Sequence, residues 1–283
     1  MGIASSVGRV AALSLGLLLA GAAAASEETQ LLEAINVYRS QVQSCAGQAF
    51  EALPPLHADG RLMLQAGVVG DLQDSLNRTG YPLANVQAIS LSGPRDAQAA
   101  MTALRESFCR VVLDPQFVDV GVNQSGRDWR IVLARPLLTG RMGDWQAEGQ
   151  KLMERINAAR AMARDCGGQI FAAAPPLAWS AELGTAAEGH SRAMANGNFF
   201  SHKDREQRIP SDRAELAGYA GGEIGENISA ALDDSARVLD GWLASPAQCA
   251  TLMSPQFRSL GAAYATDPKS DAGIYWTALF GAP

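Results

Sequence analysis

Beyond residue 20 the chain has no long apolar run and no block of like charge, and its 283 residues include only three histidines and four cysteines. Each scarcity excludes something. Without a later run near the ~20 apolar residues that cross a bilayer, no spanning helix is expected. With a formal net charge of −6 and no basic cluster, nucleic acid and anionic membranes are poor partners for this surface. There is no Gly-x-Ser-x-Gly elbow, no phosphate loop, no dinucleotide fingerprint and no Cys-x-x-Cys, so serine-hydrolase, nucleotide and thioredoxin-like chemistries lack their usual scaffolds.

At the N-terminus, Arg9, the apolar stretch Val10 to Ala20 and the small residues Ala23-Ala24-Ala25 before Ser26 read as a secretory signal peptide, residues 1–25, cut after Ala25. The stretch is too short for a membrane anchor. The expected product is soluble and exported, to the periplasm or outside the cell, with a net charge of −7 once Arg9 is lost. Four cysteines in such a chain point to disulfides, and four sites allow three connectivities.

An internal repeat bears on that choice. "INVYRSQVQSCAGQAFEALPPLHADGRL" at 35–62 aligns without a gap on "INAARAMARDCGGQIFAAAPPLAWSAEL" at 156–183, with 12 of 28 residues identical. "CRVVLDPQFVDVG" at 109–121 aligns on "CATLMSPQFRSLG" at 249–261. Two copies are too few for a solenoid, so tandem globular modules are expected. Their bounds read as 26–137 and 151–283, joined by a linker at 138–150. Each copy owns one early and one late cysteine, so the simplest pairing is Cys45 with Cys109 and Cys166 with Cys249. Crossed pairings would staple the copies to each other and need a special interface.

Within each copy the pattern predicts an opening amphipathic helix, with Leu152, Ile156 and Ala159 on one face and Leu32, Ile35 and Tyr38 as their counterparts. Ser180 is the expected N-cap of a helix through about Asn196, with Asp59 in that place in the first copy. A short helix ending near Gly218, a helix from Ser235 to Leu243 and closing strands near 262–266 and 274–280 complete an α+β module, helices packed on an antiparallel sheet.

Three histidines supply the candidates for chemistry. His57 reads as a surface residue, and His190 lies in the alanine-rich helix, facing either the core or a cleft. His202, in "NFFSH", is the strongest candidate, because two apolar neighbours anchor a loop that presents its imidazole. Glu226, flanked by glycine in "GEN", is the natural carboxylate to fix its tautomer. A plain structural hydrogen bond is the alternative.

The ordered stretches "PPLAWSAEL", "HSRAMANGNFFSH", "GYAGGEIGENI", "GWLASP" and "SPQFRSLGAAYA", closed by "YWTALFG", resemble the bacterial branch of the CAP superfamily of SCP-like or PR-1-like extracellular proteins, over about 151–283. The resemblance implies an α-β-α sandwich with a cleft in which two histidines and two glutamates hold a divalent metal. By the same resemblance His202 is the first cleft histidine and Glu226 the glutamate of the Gly-Glu-Asn motif. Gln248 stands where the second histidine is usual, and Ser245 replaces the second glutamate. With His202 as the remaining metal candidate beside Glu226, the set falls short of the three protein ligands that zinc needs, so no cofactor is expected unless His190 turns inward to complete a zinc site.

The first copy lacks the "NGNFFSHKD" stretch and places Gln87 near the position of Glu226, so it reads as a degenerate copy. The expected function is that of a binding or envelope-interaction module without catalysis, with a ligand cleft around His190, His202, Glu226, Gln248 and Trp242. One alternative is a weak metal-assisted hydrolase, a peptidase or cell-wall enzyme, using His202 and Glu226. A second is lipid or sterol binding. The ligand class is a small molecule, a lipid or an envelope component.

Overall fold

The computed structural model describes Gly2 and residues 25–66, 72–138 and 142–283. The signal-peptide reading falls almost wholly outside the described residues. The first module runs α1 (Glu27–Arg39), β1 (Gln43–Cys45), β2 (Gln48–Phe50), β3 (His57–Ala58), a 3-10 turn (Gly60–Leu62), α2 (Leu72–Thr79), β4 (Leu83–Ser92), α3 (Ala97–Ser107), α4 (Cys109–Val112), β5 (Asp119–Ser125) and β6 (Asp128–Pro136). The second runs α5 (Trp145–Arg160), β7 (Arg164–Cys166), β8 (Gln169–Phe171), β9 (Ala178–Trp179), α6 (Ala181–Gly197), α7 (Pro210–Leu216), β10 (Ile224–Ala230), α8 (Ser235–Ala244), α9 (Pro246–Met253), β11 (Ser259–Thr266) and β12 (Ile274–Gly281). Helix α5 begins at Trp145, capped by Asp144, so residues 145–150 are helix where linker was expected. No helix among the described residues is long and apolar enough to cross a membrane.

Both modules build the same sheet. The strand orders are β3-β5-β6-β4 and β10-β12-β11-β9, which are the same order read from opposite ends. Each sheet is antiparallel except for its short edge strand, which pairs in parallel: β3 with β5, and β9 with β11. The disulfides follow the repeat, Cys45–Cys109 and Cys166–Cys249, with Cα separations of 5.9 and 5.5 Å.

In the second module alternate strand residues enter opposite layers, as the pleat dictates. Leu260, Ala262, Trp276, Ala278 and Phe280 pack with Leu152 and Ile156 of α5, Trp242 of α8 and Leu252 of α9. Ala263 and Leu279 pack on the other face with Leu183 and Ala187 of α6 and Ala214 of α7. Strand β12 is therefore buried along its whole length, and the expected α-β-α sandwich is complete. Helix α6 starts at Ser180, whose side chain accepts from Leu183 N, and stops where Asn198 takes a left-handed conformation at φ 47°. Gly261 brings β11 against that helix, since a Cβ there would lie 2.0 Å from Gly184 N.

The first module keeps one layer and thins the other. Helices α1, α3 and α4 pack Leu31, Ile35, Leu104 and Val112 against Trp129, Ile131 and Leu133. On the opposite face the 3-10 turn and α2 contribute Leu62 and Leu76. Asp59 accepts from Arg61 N and caps only that three-residue turn, where a helix was expected. Gly121, the counterpart of Gly261, makes the same close approach, 2.2 Å from Leu62 C to a hypothetical Cβ.

Helix α5 buries the expected face, Leu152, Ile156 and Ala159, together with Arg160, whereas α1 is turned slightly from it: its buried stripe is Leu31, Ile35 and Arg39, and Leu32 and Tyr38 are only partly buried. Both arginines are almost wholly enclosed, at 2% and 0% exposure. Arg39 donates to the carbonyls of Val112, Asp114 and Phe117, and Arg160 donates to those of Leu252, Ser254 and Phe257. The acceptors are equivalent positions of the repeat. Burial lowers the guanidinium pKa to about 9 in Arg39 and about 10 in Arg160. Asn36 and Asn157 form a second matched pair, each exchanging two hydrogen bonds with the backbone of Leu56 or Leu177.

Candidate functional site

The α6 and α7 face of the second sheet carries the site. After α6 ends, Asn198 donates through its side chain to Asp271 Oδ2 and accepts from Asp271 N. This fixes the start of the loop that carries Phe199, Phe200 and His202. Asp204 accepts from Arg208 N at 2.8 Å and from Arg208 Nε at 2.7 Å, closing the loop on itself before α7.

His202 Nδ1 lies 2.8 Å from Glu226 Oε1. A carboxylate accepts, so Nδ1 carries the proton and Nε2 is left for the outside. The His202 side chain is 35% exposed while that of Glu226 is 1% exposed. Glu226 Oε2 in turn accepts from Arg213 Nη2, and Arg213 Nη1 donates to the carbonyls of His202 and Arg208. One arginine from α7 thus holds both the carboxylate and the loop. Burial pulls the His202 imidazole down, but the Glu226 hydrogen bond and charge, with help from Glu51, outweigh it, and the net is a rise above the ordinary histidine value.

Glu51 belongs to the first module. Its Oε1 accepts from Ser201 Oγ at 2.9 Å and from His202 N at 3.4 Å, so the site is buttressed across the module boundary.

His190 is 1% exposed. Its Nε2 donates to Ser201 O at 2.8 Å, and its Nδ1 is buried without a partner. Burial lowers its pKa against the opposing charge of Glu226, with Arg213 and His202 adding to the fall. It is a strut beneath the loop and presents nothing to a ligand. His57, read as a surface residue, is 72% exposed, 3.6 Å from Asp119.

Two residues of the expected cleft lie elsewhere. Trp242 is fully buried in the layer formed by α5, α8 and α9, and its indole N–H donates to Ile228 O. Gln248 is 6% exposed, and its Nε2 donates to the same carbonyl. Both serve the backbone of β10 from α8 and α9, and neither hydrogen-bonds His202 or Glu226. Strand register also moves the first copy's counterpart of Glu226. Glu226 faces Leu279; counted from the equivalent tryptophans Trp129 and Trp276, the matching residue is Ala88 opposite Val132. Gln87 is one residue away and so on the opposite face.

Gly225 serves packing. A Cβ there would lie 2.8 Å from Phe257 Cζ, so the glycine beside Glu226 makes room for the core.

For a divalent metal the donor set is small: among the described residues no group of three or more His, Cys, Asp or Glu is placed to hold one. The His202 nitrogen facing Glu226 and both Glu226 oxygens are already engaged, and Arg213 supplies the positive charge at the carboxylate.

Arg213 and Glu51 escaped the sequence reading. Arg213 carried no signal of its own. Glu51 did, because the repeat sets it against Ala172 in the second copy, and a charge gained at an otherwise matched position calls for a partner.

Comparison with known proteins gives the following. The sequence profile of the cysteine-rich secretory protein family, CAP, matches residues 153–280. An uncharacterized membrane protein of Bacillus subtilis is 31% identical over 85 residues, 30% of this chain and 25% of the relative. The matched part is thus about a quarter of that relative's length. An extracellular SCP-domain protein of Bacillus anthracis aligns at a TM-score of 0.41 and 18% identity, over 78% of this chain and 76% of that one. A cysteine-rich secretory protein of Staphylococcus aureus aligns at 0.38 and 11%, over 86% and 66%.

Proposed function

We propose, from the match of the cysteine-rich secretory protein family, CAP, to residues 153–280, that the chain is an exported binding module which recognises an envelope component or small ligand through the His202 side of its second module. Two disulfides suit an oxidising compartment, the periplasm or the outside of the cell. The first module is a degenerate copy that braces the site through Glu51.

The observation that carries this reading is the closed state of Glu226. One oxygen accepts from His202 and the other from Arg213, so the carboxylate already serves to orient the imidazole and to hold α7. His202 Nε2 is then a presented hydrogen-bonding group on a pre-set ring.

A second reading has one observation in its favour. A buried carboxylate that orients an imidazole with its far nitrogen outward is also the arrangement of a general base, which a weak hydrolase would use on water.

Calorimetric titration of the mature chain with zinc separates the two families of mechanism. No binding at micromolar affinity or tighter is expected. Such binding, if lost in His202→Ala, overturns the non-metal reading. Co-sedimentation with isolated envelope material, reduced in His202→Ala and retained in the exposed-surface control Lys269→Ala, is the positive expectation. Equal sedimentation of the wild type and the His202 variant removes this face as the recognition surface.

A further inference from the structure

Strand β4 is an outer strand of the first sheet and β10 is its counterpart in the second, and the two edges are finished differently. Ala231 N donates to Ile274 O, so by ladder alternation Ile228 turns its N–H and C=O away from β12. Its carbonyl is met there by Trp242 Nε1 and Gln248 Nε2, and α8 and α9 thereby close the edge. The first module has no such donors. Phe108 stands before Cys109 as Gln248 stands before Cys249, and α3 contains no tryptophan.

The outward row of β4 follows from the same alternation. Gly93 N donates to Arg127 O, so Asn85, Gln87, Ile89 and Leu91 pair with β6, while Val86, Ala88, Ser90 and Ser92 turn their backbone groups outward. Among the described residues the side-chain cap on this row is local and single: Asn85 Oδ1 accepts from Val86 N at 2.9 Å. Edge strands are commonly blunted by charge, proline or a bulge. Strand β4 contains no charged residue and no proline, and its bulge falls between Leu83 and Asn85, which leaves 85–92 regular.

The two faces of β4 are covered over opposite halves. On one, Ile89 and Leu91 pack with Ala97 and Met101 of α3, and Gln87 is exposed. On the other, Val86 and Ala88 pack with Leu72 and Leu76 of α2, and Ser90 and Ser92 are exposed. The pattern is self-complementary. An antiparallel twin centred on Ala88 sets Gln87 beside the partner's Ile89 and Val86 beside the partner's Ser90, with paired side chains on one face. Each bare half then lies beside a covered half, so neither α2 nor α3 meets its own twin on the axis. An uncharged strand also brings no like charges together when it meets itself.

We propose that β4 is an association edge that pairs antiparallel with β4 of a second copy of this chain, about a two-fold axis at Ala88, joining two four-stranded sheets into one. The contact lies wholly in the first module and shares no residue with the His202–Glu226–Arg213 group. It gives that module a role of its own beyond bracing, and each dimer then carries two His202 faces.

Sedimentation velocity of the mature chain over a concentration series tests this. The wild type is expected to form a concentration-dependent dimer. Ala88→Pro removes an N–H that β6 does not use, so it is expected to weaken dimerisation at least about tenfold while the melting temperature stays close to that of the wild type. Gln87→Lys sets two like charges diagonally across the axis, within reach of long side chains, and is expected to weaken the dimer; mixing it with Gln87→Glu is expected to restore association. This charge exchange reads the contact even where the proline variant is unstable. A wild type that stays monomeric throughout overturns the proposal. So does a folded Ala88→Pro that dimerises as the wild type does, or a mixture of the two Gln87 variants that associates no more tightly than either alone.

Discussion

The two modules share a frame and differ in one layer. Both have the same strand order, the same parallel edge strand, a disulfide at the same place, and a buried arginine serving the same three carbonyls. They part company on the far face of the sheet. There the second module has the seventeen-residue α6 and the His202 loop, and the first has a three-residue turn with α2. The frame carries stability, and the far layer carries whatever chemistry the chain presents. One layer can be cut back without losing the fold because α1, α3 and α4 still bury their face of the first sheet.

The largest test of that equivalence removes the disulfides one module at a time. Cys45→Ala with Cys109→Ala, and separately Cys166→Ala with Cys249→Ala, open loops of 64 and 83 residues. Chain entropy then predicts losses of about 4 to 5 kcal/mol in each case, differing by only a few tenths. Denaturant melts with two resolved transitions, one moved by each pair, would bear this out; a much larger loss in one module breaks the symmetry.

The arginines give the next largest effect. Replacing either by methionine leaves buried carbonyls unpaired, at a cost of about 3 kcal/mol or more. Arg160→Met is expected to cost about 1 kcal/mol more than Arg39→Met, because Arg160 also holds Pro175 O. Equal losses in thermal or urea melts would mean that this extra bond contributes nothing.

The smallest effect lies across the boundary. Glu51→Gln is expected to lower the His202 pKa, and Glu226→Gln to lower it further, both read by NMR titration of the ring. A folded-state pKa raised above its unfolded value gives stability that is fully present below about 6.5 and is lost as pH rises through the folded value. His190 has the opposite sign: its lowered pKa gives stability present above about 6.5 and lost as pH falls through its folded value. Melting curves across pH 5 to 9, compared with His202→Asn, should show the wild type losing its advantage on the alkaline side. No difference in slope between the two would detach Glu226 and Glu51 from the histidine.

Much of the frame was legible because it repeats. Aligned cysteines gave the disulfide pairing, and Ser180 marked the start of α6 through chemistry that is local to the chain. His202 and Glu226 were legible through motif resemblance and meet at 2.8 Å. Long-range placements were not. Arg39 and Arg160 look like ordinary basic residues in a last helical turn, and only tertiary closure puts carbonyls around them. Trp242 and Gln248 lie near the site in motif order yet belong to the opposite layer, because the helices that carry them, α8 and α9, pack with α5 and away from α6 and α7. Gln87 fell to strand alternation, since a slip of one residue in a strand reverses the side.

The buried arginines also set a timetable. Arg39 sits near the start of its module and must wait for Phe117, 78 residues later, while Arg160 waits for Phe257, 97 residues later. Neither helix can settle its guanidinium until the last third of its module has been made. A fragment ending before residue 112 leaves the Arg39 guanidinium to water, so α1 gains its carbonyl partners only when the late segment of its module closes on it. Each module therefore has its own point of closure, where early helix and late carbonyls meet at one guanidinium.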